Sequence, residues 1–70
     1  MPTIRVEFFE GRSTAQKAAL AQELTAACVR VLGGSPGSVD ILFYDIKKSD
    51  WATGGALWSQ APPPGPPQSG

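Results

Sequence analysis

The sequence predicts an α/β fold: a single βαβ unit with parallel strands and a short C-terminal hairpin, assembled into an oligomer. Three observations carry this. Two alternating β-type runs flank one long stretch with helical spacing of its apolar residues. A Gly54-Gly55 pair sits between two tryptophans near the end of the chain. The chain is also too short to close its own core, and it lacks the usual staples.

The first strand is "TIRVEFF", residues 3–9. Ile4, Val6 and Phe8 alternate with Thr3, Arg5, Glu7 and Phe9, so one face is strongly apolar. Gly11 ends the run. The helix is read over "STAQKAALAQELTAACVRVL". Ser13 is a good N-cap, and Gln16 three residues later completes a capping-box pattern. Leu20, Leu24, Ala27, Cys28 and Val31 are expected to form the apolar stripe. Gly33, Gly34 and Pro36 stop the helix. The second strand is expected over "SVDILFYDI", with Val39, Ile41 and Phe43 on one face and Asp40, Leu42 and Tyr44 on the other. The intervening helix is long enough for a right-handed crossover, which makes the two strands parallel. Both faces of the second strand carry apolar groups, yet one helix covers only one face. A second subunit is the natural cover for the other. "KKSDWATGGALWSQ" is turn-rich, with Trp51 and Leu57/Trp58 on the arms of a hairpin; the tryptophans suggest a docking surface, and Lys47 and Lys48 read as a solvated turn.

Residues 2–59 are expected to be the folded domain and residues 60–70 a disordered Pro/Gly-rich tail. "APPPGPPQSG" contains five prolines and only one apolar side chain, so it cannot build a core. One cysteine excludes an intrachain disulfide. With no histidine, Cys28 and the scattered acids have no metal-ligand spacing, and no metal or cofactor is expected. Six basic and six acidic residues balance to zero net charge, which argues against nucleic acid as the partner. No apolar run approaches membrane-spanning length, and "MPTIRVEFFE" is not patterned as a signal peptide. No membrane partner is therefore expected, and the single unpaired cysteine fits a reducing, cytoplasmic interior.

Pro2 stands directly behind Met1. Inside a chain it is a tolerated strand start without an N–H. With Met1 removed, it carries a free secondary amine. A chain-terminal amine titrates at roughly 7.7–8.0, and burial or a nearby cation lowers that value toward a neutral base at cellular pH. The ring limits its motion and aims the lone pair.

Proline after Met1, an alternating strand, "EGRS", a capped helix, a second strand, and an aromatic residue followed by "xxGG" together resemble the 4-oxalocrotonate tautomerase family. The resemblance covers about residues 2 to 59 and excludes the proline-rich tail. It implies a βαβ subunit with a C-terminal hairpin. It also implies a homo-oligomer, with a hexamer favoured and a dimer possible. It makes Pro2 the catalytic base, and it makes Arg12 of "EGRS" the anchor of a substrate carboxylate. Trp51, in the place of the family's usual phenylalanine, becomes a pocket wall. Arg12 stands at a helix start, where a cation is slightly unfavourable against the dipole, and that misplacement also points to function. Phe9, on the strand that follows Pro2 and on the face away from the helix, is a further candidate for the wall.

One departure matters. Family enzymes carry a second arginine in a stretch resembling "SVRV"; here "SVDI" places Asp40 at that position. An acid there repels a second substrate carboxylate, so dicarboxylate specificity is not carried over. Asp40 is expected to pair with Arg5 or Arg12 of some subunit, or to modulate the site. The function expected is keto–enol tautomerisation of small 2-hydroxy-alkenoates or aryl enolpyruvates. The alternatives are a hydratase- or dehalogenase-like reaction on unsaturated acids, with Asp40 activating water, and a non-catalytic oligomeric module whose proline-rich tail docks on a groove.

Overall fold

The structure is a computed structural model and describes residues 2–60. Met1 and, of the tail expected over 60–70, residues 61–70 lie outside the described residues; Gln60 is described, its N–H donating to the Leu57 carbonyl at 3.1 Å. The order of elements is β1 (Thr3–Phe9), α1 (Thr14–Leu32), β2 (Asp40–Ile46), β3 (Ala52–Thr53) and β4 (Ala56–Leu57), with single 3-10 turns at Pro36–Ser38 and Lys48–Asp50. β1 and β2 pair in parallel from Thr3↔Asp40 to Phe9↔Ile46, and β3 and β4 pair antiparallel. This is the βαβ unit with an appended hairpin.

Each boundary has a local cause. The Ser13 side chain accepts from the Gln16 N–H, and the Gln16 side chain accepts from the Ser13 N–H, so the capping box closes. Gly33, at φ 84°, ends α1 while its N–H donates to the Val29 carbonyl at 2.9 Å. Gly54 and Gly55 take φ of 62° and 85°, the two positive values that a tight two-residue hairpin turn requires.

Two expectations about element limits and faces need correction. β2 begins at Asp40, two residues later than expected. The N–H groups of Ser38 and Val39 are already used, donating to Ser35 and Pro36 carbonyls at 3.0 and 3.2 Å inside the proline-led turn. The covered row of α1 keeps the middle of the expected stripe but not its ends. Leu24, Ala27 and Cys28 are half-buried as expected, joined by Lys17, Ala21, Thr25 and Val29, whereas Leu20 is exposed and Val31 is 75% exposed. The reason is size. Nineteen helical residues span about 28 Å, against roughly 23 Å for a seven-residue strand. A sheet two strands wide supports one row of the helix and leaves its C-terminal end overhanging.

The helix-facing side of the sheet carries Ile4, Val6, Phe8, Ile41 and Phe43, all half-buried, with the Phe8 and Phe43 rings stacked at 5.9 Å. Lys17 of α1 pairs with Asp45 of β2, and its ammonium lies 5.9 Å from the Phe8 ring centre. This tie joins residues 28 apart in sequence. On the opposite side the hairpin folds back over one end of the sheet. Trp51 and Trp58 lie against Phe9 at centroid distances of 4.6 and 5.3 Å. Both tryptophans are half-buried on Phe9, so part of each side chain packs within the subunit and part stays open. The rest of this side is open, with Leu42 and Tyr44 about 40% exposed. Among the described residues none is fully buried, so the chain alone has no closed core.

Candidate active site

Pro2 lies at the start of β1. Its carbonyl accepts the Asp40 N–H at 3.0 Å, the first rung of the parallel ladder. The Pro2 ring and the Asp40 carboxylate therefore share one end of the sheet. Asp40 is exposed and, among the described residues, pairs with neither Arg5 nor Arg12.

Arg12 belongs to the other end, in the short link between β1 and α1. It lines a shallow depression of about 240 Å³ with Phe8, Gln16, Lys17 and Leu20, on the side of the sheet that faces the helix. Small-molecule sites commonly enclose about 300 Å³ or more, so this open hollow is smaller than a usual complete site. Two cations line it, Arg12 and Lys17, but Lys17 is already held by Asp45. Arg12 makes no ion pair among the described residues.

Phe9 and Trp51 do come together, at the same end as Arg12 but on the opposite side of the sheet. Trp58 completes the aromatic cluster. Its N–H donates to the Trp51 carbonyl at 2.9 Å, and its Nε1 donates to Thr53 Oγ1 at 2.8 Å, which holds the two arms of the hairpin. Lys48 reads in sequence as a solvated turn residue, yet its ammonium stands 5.7 Å from the Phe9 ring centre. No signal in the local sequence marks Lys48 or Trp58 as parts of this cluster, because both reach Phe9 across a large separation along the chain.

The five candidate residues thus occupy three places within one subunit. Pro2 and Asp40 stand at one end. Arg12 and the Phe9–Trp51 wall stand at the other, on opposite sides of the sheet. β1 alone separates the two ends by roughly 20 Å. An acid of a few carbons does not span that distance, so a pocket for such a molecule that used both ends would draw them from different copies. Among the described residues there is no group of three or more His, Cys, Asp or Glu side chains able to hold a metal ion.

The family model described as "Tautomerase enzyme" matches residues 2–61, beginning at Pro2. The chain belongs to the tautomerase family. A probable tautomerase of Ralstonia nicotianae is 42% identical over 62 residues, which are 89% of this chain and 95% of the relative. Among solved structures, a 4-oxalocrotonate tautomerase homologue superposes with a TM-score of 0.81 at 32% identity, covering 90% of this chain and all of that one. A subunit of a heterohexameric 4-oxalocrotonate tautomerase from Chloroflexus aurantiacus gives a TM-score of 0.78 at 32% identity, over 86% of this chain and 97% of its own. Tautomerase membership makes this an isomerase-type enzyme, and the resemblance seen in the motifs holds across the whole βαβ unit and hairpin.

Proposed function

We propose that this tautomerase moves a proton within small 2-hydroxy-alkenoates or aryl enolpyruvates, with the Pro2 amine as general base. The observation that carries this reading is the position of Pro2. It is the residue where the family match begins and is tied to β2 through its carbonyl, which leaves its nitrogen at the sheet end for chemistry. With Met1 removed, neutral Pro2 takes the proton from the enol hydroxyl and returns one to carbon. Arg12 of another copy holds the carboxylate, and Phe9 and Trp51 supply an apolar wall. The separation of these residues within one chain supports a homo-oligomer, and so does the absence of a fully buried residue among those described. The heterohexamer among the structural relatives supports a hexameric arrangement, with a dimer as the smaller alternative. A domain over residues 2–59, a separate proline-rich tail and a cytoplasmic setting complete the proposal.

The test is ketonisation of phenylenolpyruvate by protein whose N-terminal mass shows Met1 absent. A rate no faster than buffer overturns the reading. Within it, Arg12→Ala is expected to raise KM about tenfold or more, because a charge-assisted contact to a carboxylate contributes roughly 1.5–3 kcal/mol. Steady-state kinetics on phenylenolpyruvate measure this, and an unchanged KM removes Arg12 from the site.

A second reading is favoured by one observation, the Asp40 carboxylate beside Pro2 with no ion pair among the described residues. There Asp40 activates water, and protonated Pro2 acts as acid on an unsaturated or halogenated acid. Asp40→Asn separates the two. If it keeps phenylenolpyruvate ketonisation within about threefold, Asp40 is a modulator. If it also abolishes hydration of such acids by the protein, the second activity is real.

A further inference from the structure

We infer that Lys48 is a substrate-binding residue, a second cationic anchor set on the aromatic wall and selecting substrates that carry an acidic group at the end remote from the 2-hydroxy acid. This rests on the tautomerase reading and names a narrower substrate class for the same site.

The position of Lys48 is built rather than loose. Its carbonyl accepts two N–H groups, from Trp51 at 3.4 Å and from Ser59 at 3.1 Å, so the turn is fastened to both ends of the hairpin. That fastening brings its ammonium over Phe9, where Trp51 and Trp58 also pack. Among the described residues, Lys48 has no carboxylate partner, whereas Lys17, the other lysine over a phenylalanine ring, is paired with Asp45. A cation over an aromatic ring is held more weakly than one hydrogen-bonded to a carboxylate. An anionic group lying on the wall draws it readily.

Charge placement explains why such an anchor is needed here. The start of β2 carries Asp40, which repels an anion at the Pro2 end. Arg12 faces the hollow on the helix side. Lys48 places positive charge on the opposite side, on the wall itself. A substrate with one acid at Arg12 of one copy and a second acid lying on the wall of another satisfies both cations and keeps the second acid away from Asp40. A ring or conjugated chain between the two acids fills the wall.

The experiment compares phenylenolpyruvate with its analogue bearing a carboxylate at the ring 4-position. For Lys48→Met, kcat/KM on the carboxylated substrate is expected to fall about tenfold through KM, with phenylenolpyruvate held within about twofold. Lys48→Arg is expected to recover most of the loss. Equal losses on both substrates, or no loss on either, overturn the inference, because the first marks a packing role and the second no role. If Lys48→Met lowers the melting temperature, Lys48→Gln, which keeps a polar head without charge, is read in its place for the same split between substrates. Binding is read apart from turnover by tryptophan fluorescence with 4-carboxycinnamate. Weaker quenching in the Lys48 variant than in the wild type supports the anchor even if ketonisation is absent, an outcome that overturns the tautomerase reading alone. Equal quenching overturns the anchor.

Discussion

Pro2→Ala is expected to lower kcat/KM for phenylenolpyruvate ketonisation by about 10²-fold or more, toward the 10²–10⁴ that a positioned acid–base group supplies. Alanine still leaves an amine at the chain end once Met1 is removed. What it loses is the ring, and with it the fixed direction of the lone pair. A stricter form of the same experiment keeps Met1 in place. The Pro2 nitrogen is then an amide with neither a basic lone pair nor a hydrogen, and proton transfer through it stops. The pH profile gives a further check. A base works only when neutral, so kcat/KM is expected to rise with pH through the amine pKa, roughly 7.7–8.0 when unperturbed and lower when burial or a cation disfavours the ammonium. An activity that falls as pH rises through this range assigns Pro2 the role of acid instead. Wild-type kinetics in the Pro2→Ala protein remove the ring from the mechanism, and wild-type kinetics in the protein that keeps Met1 remove the Pro2 amine.

Tyr44→Asp is expected to abolish assembly, cooperative unfolding and activity together. Tyr44 stands on the open side of the sheet with Leu42, both about 40% exposed, and nothing in the described chain covers them. If another copy does, the substitution places a charge inside an apolar contact, at a cost of several kcal/mol. A chain of this size has only about 4–10 kcal/mol in total. Wild-type melting temperature should rise with protein concentration, as for any fold stabilised by its own copies. Sedimentation velocity and circular dichroism melts at two concentrations measure both effects. A Tyr44→Asp protein with wild-type mass in solution and unchanged melting shows that this face is not the interface.

Most of the fold was legible because its boundaries have local chemical causes. Ser13 with Gln16, Gly33 after Leu32, and Gly54-Gly55 each act within a few residues, and each appears where the pattern places it. What the pattern misses depends on longer reach. The apolar row of α1 is hard to read because alanines and leucines occupy neighbouring rows alike, and only the narrow sheet selects one. The ion pair of Lys17 with Asp45, and the gathering of Lys48 and Trp58 over Phe9, need the chain already folded. The candidate site was legible as a set of residue types but not as a place. Pro2, Arg12 and Trp51 are recognisable one by one, while their dispersal to two ends and two sides of a sheet follows from strand length and alternation together.

That dispersal changes what a defective copy does. If each pocket borrows its base from one polypeptide and its anchors from others, the pocket and the polypeptide are different units of inheritance. On that arrangement a chain lacking Arg12 and a chain lacking Pro2 would each be impaired alone, yet a mixed assembly would contain some pockets in which every part is intact. Conversely, a faulty copy spoils pockets that its neighbours helped to build, so its harm spreads beyond its own share of the assembly.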